Sequence, residues 1–293
     1  MPSLKEVRNR IVSVGSTMQI TSAMKMVSAA KLKRAQDAIT QMRPYANKLK
    51  ELLENVSASV DASENAYARN TGGKNLLIIA ISSNRGLAGG FNSNIIKKTN
   101  QLIKNDYAGH NITVLSIGKK VQDAFKRTSY GITGSDLPNH AGNIFEKLNF
   151  ASTSVVAEKI MEAFLTKQFD KVVLVYNQFR NAAVQIPTEE QLLPLVPSKS
   201  SGASNSKVDY IFEPSQETII NELIPRSIKT QFYKAILDSV ASEHGARMTA
   251  MHKATDNAKA MQKELKITYN KARQAAITKE ILEIVGGAEA LNG

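Results

Sequence analysis

The segment Ser82–Asn92, SSNRGLAGGFN, follows an apolar run and precedes a helix-like one, which is where a strand-to-helix turn can cradle phosphate. Its glycines, Gly86, Gly89 and Gly90, fit neither the GxGxxG nor the GxxxxGK spacing. They read as turn glycines of a Rossmann-like domain that takes no nucleotide, and no cofactor is expected. Ser82 and Ser83 lie outside any GxSxG elbow, so they lack the strained turn that exposes a nucleophilic serine. The histidines His110, His140, His244 and His252 form no HExxH pair and read as surface or seam residues, and no metal is expected. No carboxylate pair is spaced for acid–base work, and catalysis finds little support. The chain has no cysteine, so it can form neither a disulfide framework nor a thiolate metal site nor a thiol switch.

A different chemistry is carried by charge. Residues 1–50 hold ten Lys and Arg against two acids, residues 225–293 eleven against seven, and residues 51–224 seventeen of each. The whole excess of +12 therefore sits at the two ends, which points to an acidic partner surface, nucleic acid or anionic lipid. The densest cluster, Lys25, Lys31, Lys33 and Arg34, lies beside Met24, Met26, Val27 and Leu32. A basic helix next to a coiled coil is one way to read DNA, and a basic coiled-coil nucleic-acid-binding protein is the alternative reading. The interleaved apolar residues fit it poorly, as does a zipper seam that continues on both sides of the cluster. A bland solvated face would leave the methionines exposed.

The elements that must carry these groups follow from periodicity. Apolar residues step by three and four from Leu4 through Val7, Ile11, Val14 and Met18, then from Leu32 through Ala35, Ile39, Met42, Ala46, Leu49, Leu53 and Val56. Thr21, Lys25 and Ser28 occupy the intervening seam positions, and the seam is expected to fail there. Pro44 predicts a kink or bend. Near the other end, helical pattern precedes Pro225, where a break is expected. A long helix then runs to Val285, with Gly286 and Gly287 as its stop. Its seam candidates are Phe232, Ile236, Val240, Met251, Ala254, Ala258, Met261, Leu265 and Ala272. A helix of such length is marginal without a partner, so the two terminal helices are expected to pair as an antiparallel coiled coil.

Between them, strand-like runs at 75–81, 111–117 and 171–177 alternate with helix-like segments at 92–105, 119–127 and 153–168. The pattern predicts a doubly wound α/β domain with a parallel sheet, to which 182–187 adds an antiparallel edge strand. Residues 61–74 and 194–207 read as a polar linker and a loop, and 208–212 as a short strand. The expected organisation is an N-terminal coiled-coil helix over 1–58, an α/β domain over 75–210 and a C-terminal coiled-coil helix over 215–293. There is no run of eighteen apolar residues, and the N-terminus lacks the apolar core of a signal peptide, so a soluble, cytosolic protein without a cleaved presequence is expected.

The stretches IVSVGSTMQITSAMKMVSAAKLKRAQ and SEHGARMTAMHKATDNAKAMQKELKITYNKARQAAITKEILEIVGGAEAL, with NRGLAGGFN at 84–92, strongly resemble the γ subunit of F-type ATP synthases over essentially the whole chain. The resemblance implies a non-catalytic rotor shaft of the F1 sector. The coiled coil would stand inside a ring of three α and three β subunits, and the α/β domain would form a foot against the ε subunit and the c ring. Ion flow would then drive ATP synthesis at the β subunits. It implies peripheral association, through the complex, with the cytoplasmic side of the bacterial inner membrane. By motif match it places Met24 near the acidic lever of β, with Arg247 as its neighbour on the opposing helix. Arg273 and Gln274 would reach a β loop, with Thr278 and Glu280 beyond them, and Tyr210 and Glu213 would lie on the foot surface facing the c ring. Ala88 stands where many relatives have cysteine, and the cysteine-bearing insertion of chloroplast forms is missing, so thiol control is not expected.

Overall fold

A computed structural model describes residues 3–57, 66–69, 72–132, 137–138, 141–195 and 216–292. They divide into two compact units, one made of residues up to Ser28 with those from Arg247 onward, the other of Ala29–Ala246. Two long helices supply both units: α1, Leu4–Ser57, and α5, Gln216–Asn292.

Helix α1 starts where Ser3 Oγ accepts the amide of Glu6 at 3.2 Å, relieving one of the unpaired N–H groups of the first turn. The helix runs through Pro44 without interruption. Helix α5 corrects the sequence reading at both ends. Pro225 lies inside it rather than ending a preceding segment. Its missing N–H costs one helical bond, and the burial of Ile224 and Ile228 on either side offsets that cost. Gly286 and Gly287 do not stop the helix, which continues to Asn292. Glycine weakens a helix by ~1 kcal/mol, and the flanking Val285, Ala288, Ala290 and Leu291 resume helix-compatible sequence.

In the first unit, α1 and α5 pair antiparallel. Thr21 meets Thr255, and Gly15 packs so close to Gln262 that an added Cβ would lie 3.0 Å from its Nε2. The seam does not fail after Met18. Thr21 is 9% exposed, Ser28 2%, and Lys25 is half-buried between them, continuing the three-and-four spacing to Leu32. The hydroxyls are satisfied locally: Thr21 donates to the Met18 carbonyl at 3.1 Å and Ser28 to that of Met24 at 2.8 Å. Hydrogen-bonded hydroxyls can occupy an interior position, and their small volume lets the helices approach closely. On α5, Met251 and Ala258 are buried, but Met261 is exposed and Gln262 takes the inward position.

The second unit holds a four-stranded sheet of order β2-β1-β3-β4. Strands β1 (Asn75–Ile81), β2 (Asn111–Ile117) and β3 (Lys171–Phe179) are parallel. β4, Gln185–Leu193, runs antiparallel along the edge of β3, starting three residues later than expected and extending further. Leu77, Ile79 and Ile81 of β1 bury one face with Ala157, Ile160 and Phe164 of α4 (Phe150–Leu165) and Ile228 and Phe232 of α5. Leu76, Ile78 and Ala80 bury the other face with Ile95 of α2 (Phe91–Gln101) and with Val121 and Phe125 of α3 (Lys119–Phe125). Burial on both faces explains why β1 reads as an unbroken apolar run. Helix α2 passes into a wider turn over Leu102–Asp106. Helix α4 begins three residues before the expected start because Asn149 and Ser152 cap it reciprocally, side chain to amide, at 2.8 and 3.4 Å.

Within this unit α5 is tied to the sheet by polar contacts as well as by its apolar stripe. Ser242 Oγ donates to the Asn177 carbonyl of β3 at 2.9 Å, and Gln231 Nε2 to Glu190 Oε1 of β4 at 2.9 Å. Lys229 Nζ reaches Glu158 of α4 at 2.6 Å. Gly245 lets the helix backbone approach the turn between β3 and β4, since a Cβ there would stand 3.1 Å from the Ala182 Cα. The expected strand at 208–212 lies outside the described residues.

Candidate functional site

The turn after β1 shows what becomes of a phosphate-cradle geometry without the nucleotide fingerprint. The first amides of α3 point toward this turn, and the chain's own oxygens take them. Lys119 N donates to Asn84 Oδ1 at 3.0 Å, Lys120 N to the Ser83 carbonyl at 3.2 Å, and Val121 N to Ser82 Oγ at 3.0 Å. Gly118, at φ 105°, is pressed against Ser82, so the space an anion would need there is filled by backbone. Ser83 is held in turn by Asn92, whose Oδ1 accepts from both its amide and its hydroxyl at 3.0 Å. These serines are structural linchpins of the turn rather than exposed nucleophiles.

The charged and apolar surface of the helix pair is the other candidate. Met24 and Lys25 are half-buried, whereas Met26 and Val27 are 65% and 56% exposed. With Val12 and Ile20 these form an outward apolar face on α1 that the heptad reading, aimed at the seam, passed over. Their signal in the sequence is that they are the apolar residues off the three-and-four spacing. In the cation cluster, Lys31 and Arg34 are exposed and Lys33 pairs with Asp37 one turn on at 2.9 Å. Such an exposed pair contributes about 0–1 kcal/mol.

The residues that the resemblance names differ in exposure. Arg247 is buried, at 7% exposure, and engaged with neighbours. The register set by Thr21 and Thr255 puts Met24 opposite residues near 252, so Arg247 lies about a turn and a half further along α5. Arg273, Gln274, Thr278 and Glu280 are all exposed, with Thr278 Oγ1 bonded to the Gln274 carbonyl at 2.9 Å. The same register brings the first turn of α1 opposite residues near 272, and from 277 to 288 every α5 residue is exposed. That stretch presents Ile277, Ile281, Leu282, Ile284 and Val285 uncovered, with Ile284 71% exposed. Tyr210 and Glu213 lie outside the described residues. His252 sits 3.5 Å from Asp256 on the surface of α5, and His110 stacks edge-on against Tyr107.

Terminal helices that pair antiparallel, with a doubly wound α/β unit supplied by the middle of the same chain, define an interrupted coiled-coil protein. A sequence model of the ATP synthase family matches residues 3–291. The chain is 59% identical to the ATP synthase gamma chain of Flavobacterium johnsoniae and 56% identical to that of Christiangramia forsetii, in both cases over 100% of each chain. Among solved structures it resembles a chain of the Euglena gracilis mitochondrial ATP synthase OSCP/F1/c-ring assembly. The TM-score is 0.70 at 21% identity, with 98% of this chain and 94% of that one covered, a likeness of fold. The chain belongs to the ATP synthase gamma chain family. The comparisons lend the nucleic-acid reading no support. No helix among the described residues is long and apolar enough to cross a membrane.

Proposed function

We propose that this chain is the central rotor shaft of an F-type ATP synthase. The shaft couples ion-driven turning of a c ring to ATP synthesis, or the reverse, at β subunits of a surrounding α3β3 ring. It catalyses nothing itself. Residues 75–210 serve as the foot, meeting the ε subunit and the c ring, and Tyr210 and Glu213, outside the described residues, are the proposed contacts to the ring. The complex holds it peripherally on the cytoplasmic side of the bacterial inner membrane.

The observation that carries this reading is the end of α5. A helical stretch of twelve residues, 277–288, presents apolar side chains to no partner among the described residues. Exposure of that kind marks a surface covered by another protein. Exposed Arg273, Gln274, Thr278 and Glu280 lie on or beside it and are the proposed contacts to β, together with half-buried Met24. Arg247, proposed with Met24 as a contact to the ring, is buried at 7% exposure in this chain. A turning surface needs contacts that push and then release, and exposed ion pairs of about 0–1 kcal/mol meet that need better than deep apolar anchors of ~1.5–3 kcal/mol each. Mixing the chain with α and β subunits tests the reading: restored ATPase activity supports it, and assembly of an active ring that excludes the chain contradicts it.

A further inference from the structure

Asp238 is an acid the rotor function leaves without a role. It lies on α5, is 3% exposed, and its Oδ1 is buried with no hydrogen-bond partner. The groups facing it come from every neighbouring element: Glu190 of β4, Tyr176 of β3, Lys234 on α5 one turn away, and Arg43 of α1. The neutral donors at this junction go to the other acid. Tyr176 donates its hydroxyl to Glu190 Oε2 at 2.6 Å, and Gln231 donates its amide to Glu190 Oε1 at 2.9 Å. Both oxygens of Glu190 are therefore held by neutral donors. Asp238, with a desolvated oxygen and a like charge beside it, is built to keep its proton.

We propose that Asp238 and Glu190 form a proton-operated latch at the junction of α1, α5 and the β3–β4 edge, closed when Asp238 is neutral and loosened when it ionises. The ligand is a single proton. Loss of that proton places a second carboxylate in a buried site whose cations are the half-buried Lys234 and the exposed Arg43, so α5 and β4 separate to admit water. Burial is the largest influence on Asp238 and raises its carboxyl to about 6, and Glu190 adds to the rise while Lys234 and Arg43 oppose it. The latch thus tightens as the medium turns acid, stiffening the attachment of the long helices to the sheet. The inference concerns this chain alone and stands or falls apart from the rotor assignment.

Hydrogen exchange of the full-length chain, corrected for intrinsic rates, tests it. Protection of residues 185–193 and 224–246 is expected to drop about tenfold or more between pH 5 and pH 8 in the wild type, relative to the β1–β2 pair. In Asp238→Asn it should stay at the acid level throughout. Glu190→Gln is expected to move the wild-type midpoint to lower pH, and it decides the matter if Asp238→Asn does not fold. Protection independent of pH in the wild type, the same pH dependence in Asp238→Asn, or an unmoved midpoint in Glu190→Gln would each overturn the latch.

Discussion

Thr255 Oγ1 donates to Thr21 Oγ1 across 2.9 Å, and Thr21 passes its own proton back to the Met18 carbonyl, so one hydroxyl relay ties α5 to α1. A polar pair inside a helix–helix seam favours one register, because sliding one helix loses the contact between the two hydroxyls while each keeps only its local carbonyl, Met18 for Thr21 and Met251 for Thr255. The relay lies within the stretch where the heptad pattern was expected to break. Alternative registers of an alanine-rich seam are penalised at that point.

Thr255→Val is accordingly expected to destabilise the helix pair by about 1 kcal/mol. The double variant Thr21→Val with Thr255→Val should cost less than the sum of the single changes, because either change alone already removes the shared contact. Thermal unfolding of the four proteins of this cycle measures the coupling, and strict additivity would show that the contact contributes nothing.

Glycines separate two kinds of position. At Gly118 the backbone is left-handed and a Cβ would collide with the Ser82 carbonyl, so Gly118→Ala should cost more than about 2 kcal/mol and lower the yield of folded protein. At Gly286 a Cβ meets nothing within 4 Å and the residue is helical, so Gly286→Ala should add up to ~1 kcal/mol of helix stability. Circular dichroism of both variants reports the contrast.

Asp238 makes stability depend on pH with a definite sign. Its folded value is raised from 3.8 to about 6, so the native state holds a proton that the unfolded chain releases. Stability is full below about pH 4, falls as pH rises from about 4 to about 6, and stays lower above that. Asp238→Asn should therefore match the wild type near pH 4 and exceed it near pH 8 by roughly 3 kcal/mol at most. Denaturant midpoints at the two pH values decide this, and a gain confined to acid pH would contradict the sign.

The sequence made some of this architecture plain and hid the rest, for identifiable reasons. β1, β2 and β3 stand out because burial on both faces leaves uninterrupted runs such as NLLIIAI, and that signal needs no tertiary knowledge. The continuity of α5 through Pro225 and past Gly287 was concealed, because propensity marks a proline or a glycine pair as a stop while packing and neighbouring residues carry the helix on. The seam at Thr21 and Ser28 was misread for a related reason. An apolar template rejects hydroxyls, and their local hydrogen bonds become visible only once the helix exists. At the candidate contact surface, Arg273, Gln274, Thr278 and Glu280 were placed by resemblance and are exposed. Asp238 gave no signal, since its burial depends on β4 and α1 closing over it.

Contact between the basic terminal unit and acidic levers of a surrounding ring should respond to salt. Raising ionic strength from about 0.01 M to about 1 M shortens the screening length from roughly 30 Å to roughly 3 Å. Binding of the chain to the ring is expected to weaken over that range, and Arg273→Ala should reduce the salt dependence. Affinity that ignores salt would assign the contact to the apolar end of α5 alone.

The central claim is that the chain turns as a shaft. A probe fixed to an exposed position of the α/β unit, such as Lys126, in a complex with immobilised α and β subunits follows it directly. ATP is predicted to drive stepwise rotation of the probe in one direction, stopping when nucleotide is removed. ATP hydrolysis at full rate with the probe stationary would contradict the account.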